Sequence, residues 1–207
     1  MNHGAEALRQ SARRLLPSCY GCVVLPLAQV AAPLLPQEAA AIQRAIPRRQ
    51  QEFAVGRMAL RAAIREAGHD LPLSQPIAMR PDRAPDLPVS IRASLSHAGK
   101  YCIAIAAPPG GASPGVDLAH CADPRPEGLA AAVMPFRMGL DDPLLAFCVK
   151  EALFKAQYPL TGRMLDFGDV SVVIEPARFR ACLGHRLIGG RWEKAVGYYL
   201  AVSLWTG

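Results

Sequence analysis

The chain is divided by Pro108-Pro-Gly-Gly-Ala-Ser-Pro-Gly115, the strongest cluster of turn-forming residues among its 207 positions. Proline and glycine interrupt regular backbone hydrogen bonding, so a run of this kind predicts a connection between two structural units. We therefore expect an N-terminal half over residues 1–107, a linker over 108–115 and a C-terminal half over 116–207. Each half has roughly 100 residues, which is enough for a hydrophobic core of its own.

Each half combines helix and strand patterns, which predicts an α+β fold. In the C-terminal half, Asp142 and Pro143 are a favourable helix start, and we expect that helix to run to about Gln157. The other predicted elements are strands over 19–25, 101–107, 116–118, 170–174, 179–183, 191–195 and 198–205, a helical stretch from Pro36 to Pro47, a helix from about Arg48 to Ala67, and a proline-rich loop over 70–92.

Composition narrows the class of protein. Hydrophobic residues make up 51% of the chain and charged residues 19%, which is typical of globular rather than disordered proteins. The formal net charge is +6, and an excess of lysine and arginine favours anionic partners such as phosphates, nucleic acid or an acidic protein surface. The most apolar stretch, residues 22–35, is interrupted by prolines and is too short to span a bilayer, so we expect no membrane partner.

The six cysteines are expected to be free thiols. Only Cys19 and Cys22 form a C-x-x-C pair, and no second pair completes a zinc site. Cys102 and Cys148 lie in apolar segments, where a free cysteine acts as a small hydrophobic side chain. The first residues lack the layout of a signal peptide. We therefore expect a reduced, cytoplasmic protein without structural disulfides.

Two segments near the linker carry groups that can act on a phosphate. Ser94-Leu-Ser-His97 is expected to form a turn before a strand, where its side chains either contact a phosphate or satisfy backbone groups. A Ser–His nucleophile pair is disfavoured there, because the G-x-S-x-G context is missing. In Gly115-Val-Asp117, a carboxylate ends a short apolar strand, where it can bind a hard cation or cap the next turn.

The third segment, Phe147-Cys-Val-Lys-Glu-Ala-Leu-Phe-Lys155, lies on the helix that begins at Pro143. Glu151 and Lys155 are one turn apart on the same flank, which is compatible with a surface ion pair worth about 0.3–0.5 kcal/mol. Phe147 and Phe154 accompany the charges on the side opposite the expected aliphatic core face. A charged side that is also partly apolar favours a lined cleft over a solvated surface. The core face is expected to contain Leu145, Val149, Ala152 and Ala156.

Taken together, Ser96-His97, Gly115-Val-Asp117 and Lys150-Glu-Ala-Leu-Phe-Lys155 resemble the motifs of the 4′-phosphopantetheinyl transferases of the Sfp/enterobactin-synthase type. The resemblance runs in order over residues 34–205, so it does not depend on one motif. It implies two similar α/β halves related by a pseudo-twofold, with the active site in the cleft between them. It also implies Mg²⁺-dependent transfer of 4′-phosphopantetheine from coenzyme A to a serine of an acyl or peptidyl carrier protein, with release of 3′,5′-ADP.

The resemblance implies which residues hold the substrate coenzyme A. The 3′-phosphate is expected near three arginines, the adenine near a fourth, and the remaining phosphates near the Ser-His motif and the helical lysines. These predicted contacts are Arg48, Arg49, Arg57, Arg83, Ser96, His97, Lys150 and Lys155.

The catalytic residues implied by the same resemblance are Asp117, Glu151 and Lys155. Asp117 and Glu151 would hold Mg²⁺, or alternatively Mn²⁺, on the pyrophosphate. Glu151 would also be the general base for the carrier serine. Lys155 would stabilise the leaving 3′,5′-ADP, with Lys150 as a second candidate. The family usually has another carboxylate at the position of Ala119, so we expect weaker metal binding here.

The expected partners are coenzyme A and an acidic apo carrier protein from fatty-acid, polyketide or nonribosomal-peptide synthesis. The internal duplication of the family favours a monomer. One alternative is a non-catalytic member of the same fold that binds coenzyme A or a carrier protein, and Ala119 is its support. The other is a nucleic-acid-binding module, suggested by the basic stripe Arg57, Arg61 and Arg65. It is disfavoured, and we expect no nucleic-acid partner, because no aromatic stacking residues accompany the stripe.

Overall fold

The computed structural model describes residues 2–138 and 142–207. In chain order, its elements are α1 (His3–Leu15), β1 (Gly21–Pro26), α2 (Pro36–Ala40), α3 (Pro47–Glu66), β2 (Ala93–Ala98), β3 (Tyr101–Ala106), β4 (Ser113–His120), α4 (Leu129–Ala132), β5 (Phe136–Met138), α5 (Pro143–Thr161), β6 (Val172–Glu175), β7 (Arg178–Leu183), β8 (Arg186–Ala195) and β9 (Tyr198–Trp205), with a 3₁₀ turn at Phe167–Asp169.

Two sheets confirm the predicted α+β class. One has three antiparallel strands in the order β1-β3-β2, and the other has six strands in the order β4-β9-β8-β7-β6-β5, antiparallel except for the pair β5 and β6. Helix α3 packs on the first sheet and α5 on the second, each over a buried apolar cluster. Among the described residues, no helix combines the length and the apolar character needed to cross a bilayer.

The two long helices begin and end close to the predicted positions, for identifiable local reasons. Each begins with a proline in its first turn, where the missing N–H costs no hydrogen bond. The Asp142 side chain accepts a hydrogen bond from Leu144 N at 3.0 Å, which confirms it as the N-cap of α5. Helix α5 continues past the predicted end at Gln157 to Thr161, where Gly162 adopts a left-handed φ of 64°. The four residues of its predicted core face are all buried.

Glycine allows each long helix to lie directly on a strand. A Cβ on Gly21 in β1 would lie 1.8 Å from the carbonyl oxygen of Ala63 in α3. A Cβ on Gly115 in β4 would lie 2.0 Å from the carbonyl oxygen of Ala152 in α5. Only glycine permits such an approach, so both helices are fixed against their strands at these points.

Strands β2 and β4, from different sheets, are joined through side chains. Ser94 Oγ accepts a hydrogen bond from Val116 N at 3.1 Å, and Ser96 Oγ accepts one from Leu118 N at 3.2 Å. The two hydroxyls thus accept hydrogen bonds from backbone N–H groups of β4 that would otherwise need the carbonyl groups of a neighbouring strand. This junction brings the residues after Ser96 next to the end of β4.

Several predicted boundaries differ from the structure. Residues 94–97 were predicted as a turn but lie within strand β2, because their backbone pairs with β3 while the two serine side chains bond to β4. Strand β4 begins at Ser113, inside the predicted linker. Helices α1 and α4 and strand β5 were not predicted. The division into two halves at residues 108–115 stays a prediction.

Candidate functional site

A pocket of about 350 Å³ lies between α3, β2, the loop over residues 79–85 and α5. Its wall carries charged side chains from several of these elements: Arg49, Glu52, Arg57, Asp82, Arg83, His97, Glu151 and Lys155. The apolar part of the wall includes Phe53, Met79, Pro85, Phe154, Tyr158 and Met164. A recess that combines cationic groups with apolar surface suits an anionic organic ligand.

Asp117, Lys155 and Glu151 form a contiguous charged cluster. Asp117, on β4, is 5% exposed, and its Oδ1 accepts hydrogen bonds from Lys155 Nζ at 2.6 Å and Ser96 Oγ at 2.8 Å. Lys155 Nζ also lies 3.9 Å from Glu151 Oε2, one turn earlier on α5. The structure therefore brings the three predicted catalytic residues together, with the ammonium group between the two carboxylates.

Burial and charge act in opposite directions on this cluster. Burial raises the pKa of Glu151, and the nearby Lys155 only partly offsets this effect. Burial alone would lower the pKa of Lys155, but Asp117 and Glu151 together raise it above its usual value. Lys155 is therefore a permanent cation at neutral pH, whereas Glu151 accepts a proton more readily than an exposed glutamate.

His97, Arg49 and Glu52 form a second polar group on the pocket wall. His97 Nε2 lies 2.8 Å from Arg49 Nη1, and Glu52 Oε2 lies 3.4 Å from Arg49 Nη1. Burial and the charge of Arg49 lower the pKa of His97, although Glu52 opposes this. A neutral imidazole accepts a hydrogen bond from the N–H of Arg49. This bond holds the guanidinium group beside His97 on the pocket wall.

Arg57 is largely occupied by structural contacts. It is buried, donates from Nε to Ile77 O at 2.6 Å and from Nη2 to Ala78 O at 3.2 Å, and lies 3.9 Å above the Phe53 ring centroid. Burial lowers its pKa to about 10. Arg57 thus does not belong to an exposed basic stripe, but it still contributes positive charge to the pocket wall.

Three predicted coenzyme A contacts lie elsewhere. Lys150 is buried and donates from Nζ to Phe167 O at 2.6 Å, so it faces a different small cavity, and burial lowers its pKa to about 8. Ser96 bonds to Asp117 instead of lining the pocket. The Arg48 side chain is 77% exposed, bonds to Glu52 Oε1 at 3.0 Å and lies in a neighbouring recess.

Sequence reasoning missed many residues of the pocket wall, among them Glu52, Asp82, Tyr158 and Met164. Glu52 had a signal in the sequence, since it follows Arg48 and Arg49 at the spacing of helical ion pairs. Tyr158 had one too, since it lies three and four residues after Lys155 and Phe154 on the same flank of α5. Asp82 and Met164 lie in loops without a helical or strand repeat, so the spacing of residues in the sequence does not show which of them line the pocket.

Asp117 and Glu151 are the side chains that could hold a divalent metal. Their hard oxygen donors match the preference of Mg²⁺, which also accepts water and substrate oxygens. Within residues 2–138 and 142–207, no cluster of three or more potential ligands was found among His, Cys, Asp and Glu. Ala119, two residues beyond Asp117, is buried in the core under α5 and offers no ligand. In this structure Lys155 Nζ lies between the two carboxylates, so a metal held by them would displace it and would need further oxygens from the substrate and water.

Comparisons with known proteins show which proteins the chain is similar to. The family model of the 4′-phosphopantetheinyl transferase N-terminal domain matches residues 37–107. The 4′-phosphopantetheinyl transferase Svp of Streptomyces mobaraensis is 36% identical over 191 residues, covering 79% of this chain and 75% of the relative. The 4′-phosphopantetheinyl transferase PptT of Mycobacterium tuberculosis is 33% identical over 152 residues, covering 68% of this chain and 65% of the relative.

Proposed function

This chain belongs to the 4′-phosphopantetheinyl transferase family, and we propose that the pocket between α3 and α5 is the site where 4′-phosphopantetheine passes from coenzyme A to a serine of a carrier protein. The observation that carries the proposal is the Asp117–Lys155–Glu151 cluster, in which Glu151 and Lys155 line a cationic pocket and the buried Asp117 bonds to Lys155. This arrangement supports a site in which a base, a permanent cation and carboxylate oxygens act together on one bound pyrophosphate.

Coenzyme A is bound by positive charge on three sides of the pocket. Arg49, aimed by His97, and Arg57, beside Phe53, supply charge from α3. Arg83 supplies it from the facing loop, and Lys155 from α5. Arginine pairs well with phosphate because its planar fork donates two parallel hydrogen bonds. We assign the 3′-phosphate to Arg49 and Arg57, and the adenine side to Arg83.

In the transfer step, Glu151 accepts the proton of the carrier serine hydroxyl, directly or through a water molecule. The serine oxygen forms a bond to the β-phosphorus, and the bond from that phosphorus to the bridging oxygen breaks. The electron pair leaves on 3′,5′-ADP, whose charge Lys155 stabilises. Ser96 keeps Asp117 in place beside this centre. A divalent cation held by Asp117 and Glu151 would neutralise negative charge on the pyrophosphate.

The carrier protein itself is recognised by charge. The chain has a net charge of +6, which favours approach of an acidic protein surface over a basic one. We therefore propose an acidic apo carrier domain as the second substrate. We also propose a monomer as the working form, which the internal duplication of the family favours.

A transfer assay tests the proposal. The chain, a fluorescent coenzyme A derivative, Mg²⁺ and an apo carrier protein should give a fluorescent carrier, and a carrier with alanine in place of its serine should stay dark. Asp117→Ala should abolish labelling while leaving the circular dichroism spectrum unchanged. Normal labelling by Asp117→Ala would show that the cluster is not the transfer site.

A further inference from the structure

Residues 79–85 form a narrow loop on the pocket wall, which we name the 79–85 finger. Its two ends pair in an antiparallel bridge, and Arg80 N donates to Ala84 O at 2.9 Å. Arg83 at its tip has a φ of 68°, a conformation that residues other than glycine rarely adopt. The finger therefore has one defined shape, which the local hydrogen bonds maintain.

Asp82 bonds the tip of the finger to helix α5. Its Oδ2 accepts a hydrogen bond from the Tyr158 hydroxyl at 2.6 Å and lies 3.2 Å from Arg80 Nη2, while its Oδ1 accepts from Ala84 N at 3.0 Å. The Tyr158 ring stacks on Phe154, with centroids 5.2 Å apart and 27° between the planes. Asp82 and Tyr158, which are 76 residues apart in the chain, are therefore each held in place by a further contact besides the bond between them.

The bond crosses the edge of the pocket. Asp82, Phe154, Tyr158 and Lys155 all belong to the pocket wall, so the contact joins the finger to the helix that carries the charged cluster. We propose that the Asp82–Tyr158 hydrogen bond is a latch that sets the width of the pocket and retains coenzyme A in it. Asp82 and Tyr158 are thus positioning residues for the transfer reaction, and this assignment rests on the function proposed above.

The chemistry of the pair suits a latch. A hydrogen bond to an ionised carboxylate is stronger than one between neutral groups, so the closed form is favoured. The contact is also exposed to solvent, so either partner can exchange it for water without leaving a buried group unpaired. A ligand can therefore enter when the bond opens, and the reformed bond slows its departure.

The test uses Asp82→Ala, Tyr158→Phe and the double variant of the full chain. Tyr158→Phe removes the hydroxyl but keeps the ring that stacks on Phe154. Stopped-flow measurements with fluorescent coenzyme A should show dissociation about 3- to 10-fold faster in each single variant, as expected for one hydrogen bond. The double variant should be no faster than Asp82→Ala alone, because that change already removes the contact that Tyr158→Phe removes, together with the bonds of Asp82 to Arg80 and Ala84. In transfer assays, KM for coenzyme A should rise by more than kcat falls.

Asp86→Ala is the matched control. Asp86 is an exposed acid just beyond the finger, lies outside the pocket wall, and has no side-chain hydrogen bond or ion pair with the residues that the structure describes. This variant should bind coenzyme A like the wild type. Unchanged dissociation in both single variants, effects that multiply in the double variant, or a loss of kcat at constant KM would each overturn the latch. Failure of the wild type to label any carrier would instead overturn the proposed function.

Discussion

Ser94 and Ser96 each accept a backbone hydrogen bond from β4, but only Ser96 also donates to a carboxylate of the site. Comparing the two serines therefore distinguishes the structural role of a buried hydroxyl from its role in positioning a site residue. Both hold the strands together, whereas Ser96 alone fixes the orientation of Asp117.

Replacing either serine by alanine should lower the free energy of unfolding by about 1–3 kcal/mol, because a buried N–H of β4 loses its acceptor. Ser96→Ala should also slow transfer, by roughly 10-fold or more, since Asp117 loses a positioning contact. Ser94→Ala should slow it less, because Ser94 lies on the pocket wall but does not bond to the charged cluster. Urea unfolding and transfer rates measured well below the unfolding transition distinguish the two effects. Equal transfer rates in the two variants would show that Ser96 does not position Asp117.

The thiols differ in reactivity according to their burial. Cys19 and Cys182 are exposed, whereas burial raises the pKa of Cys22 and of Cys102 to about 12. The thiolate is the reactive form, so at pH 8 an aromatic disulfide reagent should modify the exposed pair quickly and leave the buried pair intact. All six thiols should react in guanidinium chloride. Rapid modification of Cys22 or Cys102 in the native protein would contradict this placement.

At the scale of elements, the contact of β4 with α5 is set by the missing side chain of Gly115. Gly115→Ala would place a methyl group 2.0 Å from the Ala152 carbonyl oxygen, so the helix must shift. We expect a loss of about 3 kcal/mol in stability, because backbone cannot rotate away as a side chain does. Gly168→Ala is the control, since a Cβ there meets nothing within 4 Å. Thermal unfolding measures both, and similar midpoints would contradict the packing described.

Elements with clear end signals could be predicted from the sequence. Helices α3 and α5 have proline in the first turn, and both predicted starts lie within one residue of the observed ones. The end of α3, before Gly68, was also predicted within one residue, whereas α5 runs four residues past its predicted end. Strand β2 was mistaken for a turn because its alternate polar residues, Ser94 and Ser96, face another strand instead of solvent. That distinction depends on which segment lies alongside, and local sequence does not contain it.

At the scale of the whole molecule, helix α1 connects the two sheets. Leu8 and Leu15 are buried in a cluster shared by strands of both sheets. Arg13 pairs with Glu66 of α3, and Arg14 pairs with Glu193 of β8. The apolar spacing of Ala5, Leu8, Ala12 and Leu15 was a usable helix signal. Its role as a bridge could not be predicted, because it depends on contacts about 180 residues away.

The candidate site was predictable to the extent that its residues belong to motifs. Asp117, Glu151 and Lys155 meet as expected. Lys150 does not join them, because successive residues of a helix point about 100° apart. Its ammonium group instead bonds to the carbonyl of Phe167. The spacing of residues in the sequence predicts the side of the helix on which a residue lies. Which other segment packs against that side depends on the tertiary fold.

The central claim is that the cluster on α5 and β4 catalyses transfer of 4′-phosphopantetheine to a carrier serine. Intact mass spectrometry of an apo carrier incubated with coenzyme A, Mg²⁺ and the chain tests it most directly. We predict one added phosphopantetheine with the wild type, and a rate at least about 100-fold lower with Glu151→Gln, which keeps the shape but removes the base. Unmodified acyl and peptidyl carriers with the wild type, or undiminished transfer by Glu151→Gln, would contradict the account.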